Sequence, residues 1–237
     1  MTPPQQPGML AADTVQPAPS EEVRNLTETQ YEKSGYYYPN LIAKIYLDAI
    51  EEVMGSNGTK ALLNMAHMEH LIDNYPPGNL SKAFDFADFT HLNEAMESMY
   101  GPRGGRALAL RAGRKAFDQG LKNFGAMAGV ADRTFRLLPL KLRMKVGLGA
   151  MAKTFSTTSD QISYVQEKED HFLYIIERCP VCWNRHADSP VCHAAMGIIL
   201  EALNWGTGGL RFKTAEVACI ARGDPSCDFM ISKNPID

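Results

Sequence analysis

An α+β fold, with N-terminal helices packed on a C-terminal antiparallel sheet, is the class this sequence predicts, on three observations. Apolar residues recur at helical spacing through the first two thirds of the chain. From Gln161 the pattern changes to short runs rich in β-branched and aromatic residues. The last two of these runs flank the turn RGDPS, which makes a hairpin close to the C-terminus. A chain of 237 residues, 45% hydrophobic, is long enough for one substantial core, and a single domain over 31–237 is expected.

The first twenty residues, MTPPQQPGMLAADTVQPAPS, hold five prolines and neither a basic leader nor a long apolar run. A disordered, Pro-rich tail over 1–30 is expected. Leu41, Ile42, Ile45, Tyr46, Ala49, Ile50 and Val53 then predict a helix that Gly55 ends. A second apolar segment runs from Ala61 to Leu71 and stops at NYPPG. The next helix is expected to start near Asp88 or Thr90 and reach Tyr100. Residues 101–125 join a glycine-rich turn to a helix carrying Arg103, Arg106, Arg111, Arg114 and Lys115. A solvated basic face is the ordinary reading of that segment, and an anion or ligand-carboxylate site the alternative. Residues 138–148, LPLKLRMKVGL, alternate with a period of two, yet Pro139 suits a helix start and helix formers follow, so the segment reads as helix. Its basic edge suits solvent better than a membrane surface. QISYVQE and HFLYIIER read as strands around the turn KED. Ser189 and Pro190 are expected to cap and open a helix burying Val191, Ala195, Ile198, Ile199, Ala202 and Leu203, which Gly206, Gly208 and Gly209 break. LRFKTAEVACIA and CDFMIS complete the sheet.

A net charge of −3 gives no global basic field, so nucleic-acid coating is disfavoured, and no transmembrane segment is predicted. A cytoplasmic protein is expected. There an odd number of clustered thiols, Cys179, Cys182, Cys192, Cys219 and Cys227, suits metal binding or reactivity better than disulfides. The terminal hairpin lets Cys219 and Cys227 approach each other, and a helix start at Cys192 favours its thiolate. Glu216 lies three residues before Cys219. Positions i and i+3 of a regular strand face opposite ways, so these two can share a metal only if the strand bulges or ends near Val217.

The order CPxC, PVCH, W-x-T-G and E-x-x-C-x-A-x-G-D-x-x-C-x-F resembles the 4-vinyl reductase family of domains, most specifically over residues 160–232. It is similar as well to the sensor modules of bacterial phenol-responsive activators. The resemblance implies a ligand-binding fold of the nitric-oxide-signalling and Golgi-transport type, with the metal motif in 177–232. It also implies a zinc site on Cys192, Glu216, Cys219 and Cys227. Cys179 and Cys182 are either ligands of an alternative or second site, or inert thiols packed beside the zinc. His193 suits a role behind the ligands or facing a bound molecule better than ligation. The implied apolar cavity for a hydrophobic ligand, a tetrapyrrole or an aromatic, has candidate lining in Met65, Met68, Met96, Met99, Met127 and Phe124, although each also suits an ordinary core. Arg103 and Arg106 are candidates to pair with ligand carboxylates. A homodimer and a further protein partner are implied by the same resemblance. The alternative activity is reduction of a bacteriochlorophyll precursor's 4-vinyl group, by the enzyme or an accessory subunit, for which the sequence has no dinucleotide or flavin motif.

Overall fold

A computed structural model describes residues 31–125 and 133–236. The expected tail over 1–30 and Met127 lie outside the described residues. β1 (Tyr37–Pro39) pairs antiparallel with β2 (Lys82–Asp85). Between them α1 (Asn40–Met65) buries Ile45, Tyr46, Leu47, Ala49 and Ile50. Gly55, at φ 76°, turns the helix axis where the sequence predicts an end. The second apolar segment then continues as helix to Met65 and closes in a 3-10 turn over Glu69–Leu71.

α2 (Phe86–Phe124) begins earlier than Asp88 because Asp85 caps it, accepting from the Ala87 amide at 2.8 Å. Gly101 bends this helix at φ 70°, and Pro102 follows where a missing amide costs no hydrogen bond. α3 (Leu140–Thr158) takes up the alternating segment as a helix, burying Met144, Leu148 and Ala152, each four residues apart.

The sheet follows. β3 (Ser163–Glu167), β4 (His171–Ile176), β5 (Arg211–Ala218) and β6 (Cys227–Ile236) lie in the order β3-β4-β6-β5, all antiparallel. On one face Phe172, Tyr174 and Ile176 of β4 and Cys227, Phe229 and Ile231 of β6 are buried, joining the helices in one core. α4 (His193–Thr207) connects the two hairpins and ends at Gly208 in the left-handed region.

One expected start is wrong. α4 begins at His193 with Cys192 at its cap, not at Ser189 and Pro190. The Cys192 amide donates to Glu216 Oε2 at 3.0 Å, so a carboxylate from β5 caps the helix in place of the local serine. α2 packs against both α1 and α4, and α3 against α4 and β3. Where α2 crosses α4, a Cβ on Gly113 would overlap the Ala194 carbonyl oxygen and one on Gly197 that of Leu110. Only glycine lets the two backbones come so close.

Candidate metal centre and ligand cavity

The five cysteines converge although they come from four separate segments. Cys179 and Cys182 sit in the loop after β4, Cys192 caps α4, Cys219 follows β5, and Cys227 opens β6. All five are buried and free. Thr90, buried on α2, shapes the first loop by donating to the Pro180 carbonyl at 2.7 Å and accepting from the Trp183 amide at 3.0 Å. Asp224 shapes the last by accepting from the Cys219 amide at 2.8 Å, while the Ile220 amide donates to Cys227 Sγ at 3.4 Å.

The sheet register supplies the kink that Glu216 needs. Glu216 stands opposite Phe229 and Ala218 opposite Asp228, so one residue is extra between them and Val217 is pushed out, 43% exposed. Glu216 can then turn inward with Cys219.

Two sets of four donors result, each with its ligand atoms within 4.8 Å of one another: Cys192, Glu216, Cys219 and Cys227; and Cys179, Cys182, Cys192 and Cys227. Sulfur separations are 3.5 Å for Cys179 and Cys192, 3.4 Å for Cys182 and Cys227, 3.6 Å for Cys192 and Cys227, and 3.8 Å for Cys192 and Cys219. A tetrahedral ion with bonds of ~2.3 Å to sulfur spaces its ligands about 3.8 Å apart. The sulfurs therefore stand at the spacing of ligands on a single ion, closer than an iron–sulfur cage with sulfide corners would set them.

Burial pushes the thiols of Cys179 and Cys192 up, and burial together with the charge on Cys219 pushes Glu216 up to about 9. Glu216 Oε1 is buried with no hydrogen-bond partner. A cation among these groups would reverse each effect, favouring thiolate and carboxylate and giving Oε1 a partner.

The second feature is an apolar cavity of about 130 Å³ framed by α1, α2, α3 and α4. Ile42, Phe124, Met151, Phe155 and Trp205 are among its walls. Trp205 is held by stacking on Phe135, centroids 5.5 Å apart. Arg143 reaches this otherwise apolar space from α3. Its Nη1 donates to the Arg136 carbonyl at 3.1 Å, and its Nε is buried without a partner.

The remaining candidates divide between these places and the rest of the molecule. Phe124 lines the cavity. Met96 and Met68 are fully buried in the core away from it, Met99 packs at the core's edge, and Met65 is 47% exposed at the end of α1. Arg103 and Arg106 lie exposed on α2, outside the cavity walls. His193 is the first residue of α4; burial and the charges of Arg106 and Arg185 lower its pKa to about 4, so it is a neutral neighbour of Cys192. Thr90, Arg143 and Trp205 do not stand out in the sequence. The alternating basic segment contains Arg143 but gives no sign that one of its cations turns inward.

Residues 172–233 match a family model for the 4-vinyl reductase domain. A search of curated proteins finds no match. Among solved structures the chain is similar to a variant of Tt H-NOX, at 12% identity, with a TM-score of 0.55 over 84% of this chain and 97% of that one. It is similar to the Fe(II) unliganded H-NOX protein from K. algicida, at 12% identity and a TM-score of 0.55 over 83% and 96%. A structure probing heme distortion in the H-NOX family matches at 13% identity and 0.53 over 84% and 97%. At such identities the likeness is one of fold, and it bears out the α+β arrangement of helices on an antiparallel sheet.

Proposed function

We propose, for a chain whose residues 172–233 are a domain of the 4-vinyl reductase family, that it binds a small hydrophobic molecule in the helical cavity, and that a zinc–thiolate centre clasps one wall of that cavity. The observation that carries the reading is the cavity itself, apolar on nearly every side and supplied with one unpartnered guanidinium nitrogen. Such a site suits an apolar body ending in a hydrogen-bond acceptor, above all a carboxylate.

The donor set fits zinc. Thiolates and a carboxylate are its ordinary ligands, the sulfur spacing is tetrahedral, and the buried Oε1 of Glu216 has room for a metal bond. Four protein donors close the coordination shell, which makes the metal's role structural. α4 links it to binding: Cys192 stands at the start of this helix, while Ile198, Ala202, Leu203 and Trp205 further along line the cavity.

Haem, which the H-NOX neighbours suggest, does not fit. The cavity lining has no histidine or cysteine, and the hydroxyls of its tyrosines, Tyr38 and Tyr46, are engaged by Gln161 and Asn93. At about 130 Å³ the space is close to the ~150 Å³ engineered cavity that holds one benzene. That favours a single aromatic ring over the four of a tetrapyrrole. The reductase alternative has no observation of its own in support. A cytoplasmic location, where reduction keeps the thiols available, and a homodimer belong to the same reading.

Native mass spectrometry of protein purified from its own host without chelator, followed by denaturing analysis, tests it. Zinc together with a co-released aromatic or other hydrophobic acid is expected. Iron with acid-labile sulfide would contradict the structural-metal reading.

A further inference from the structure

The two four-donor sets are not separate places. They share Cys192 and Cys227, whose sulfurs lie 3.6 Å apart, so that the six donors form two tetrahedra with a common edge. Cys179 and Cys182 stand beyond one side of that edge, at 3.5 Å from Cys192 and 3.4 Å from Cys227 respectively. Glu216 and Cys219 stand beyond the other, with Cys219 at 3.8 Å from Cys192.

A single tetrahedral ion has four positions for six donors. Placed with Cys179 and Cys182, it leaves Cys219 and the partnerless Oε1 of Glu216 buried beside it. Placed with Glu216 and Cys219, it leaves two buried sulfurs within 3.5 Å of its thiolates. Charge points the same way. Five thiolates and a carboxylate carry six negative charges, and two divalent ions neutralise four of them where one neutralises two. Thiolate sulfur has lone pairs enough to bind two soft ions at once.

We propose that these residues form one binuclear metal–thiolate centre. Two zinc-class divalent ions share the Cys192 and Cys227 sulfurs; Cys179 and Cys182 complete the first ion and Glu216 and Cys219 the second. This rests on the metal reading above and extends it. Each ion takes the place of the protons on its donors, which leave to solvent, and no electron is transferred. The double bridge explains why the CPVC loop is pinned by Thr90 against the same centre that the terminal hairpin builds.

The test uses the full chain, stripped of metal under reducing conditions and titrated with Zn(II), then separately with Co(II), the bound metal being counted per chain after desalting. Two ions per chain are expected. The double variants Cys179→Ser/Cys182→Ser and Glu216→Gln/Cys219→Ser should each hold one. In the cobalt protein, the magnetic moment per ion should fall as the second ion binds, because shared sulfurs couple the two spins. Saturation of the unaltered chain at one ion overturns the proposal while leaving the structural-metal reading intact. Two ions without magnetic coupling overturn the shared sulfurs, and no bound metal at all overturns both readings. The count on the unaltered chain decides the question even if a variant fails to fold.

Discussion

Single side chains set the chemistry at both places, and each gives a measurable consequence. Arg143 is the polar end of the cavity, so Arg143→Met should weaken binding of 4-ethylbenzoate by tenfold or more while leaving ethylbenzene little changed, as calorimetry can read. Equal loss for both ligands would place the carboxylate elsewhere. Thr90 holds the CPVC loop by two hydrogen bonds. Thr90→Val leaves a buried carbonyl and a buried amide unmet, a cost of about 2 kcal/mol, and should lower the melting temperature even though the side chains are nearly the same size. The sequence presents Thr90 as one polar residue on a helix, and its partners lie about ninety positions away, which is why it is illegible there. The cysteines are legible, because thiols gathered in a short segment have few other uses in a reducing compartment.

The elements matter through α4, which carries a cluster residue at its first turn and cavity walls along its length. Its close crossing with α2 depends on Gly113 and Gly197. Gly113→Ala or Gly197→Ala should each cost about 3 kcal/mol or more, since a methyl meets a backbone carbonyl that can retreat only by separating the helices. A melting temperature unchanged in either variant would mean the crossing is looser than described. The strand bulge at Val217 is legible in the spacing of Glu216 and Cys219, since a shared metal requires it. The start of α4 is not. Ser189 and Pro190 form a good local signal, but a carboxylate brought from β5 by the fold takes the cap, and sequence offers no view of that. The helix over Leu140–Thr158 is readable despite its alternating start, because the helix formers after it outlast the short period-two run.

At the scale of the whole molecule, the metal joins segments that the helices and sheet bring together only late in the chain: the loop after β4, the start of α4 and the terminal hairpin. Metal binding to such a set contributes directly to folding free energy. Stripping the protein under reducing conditions should therefore lower its melting temperature substantially, and zinc should restore it. The order of helices and strands is legible because periodicity changes once, near Gln161. The cavity is not, since its walls come from four helices whose apolar residues look like ordinary core, and Met65 and Met96, named for it, lie elsewhere.

The claim that joins these scales is that a metal clasp holds a working ligand cavity. Its most direct measurement is a titration of Trp205 emission with 4-ethylbenzoate, in a Trp183→Phe background that leaves Trp205 as the sole indole, before and after metal removal. The account predicts saturable quenching in the metal-loaded protein and a loss of affinity of tenfold or more once the metal is gone. Absence of saturable quenching in the metal-loaded protein, or quenching indifferent to the metal, would contradict it.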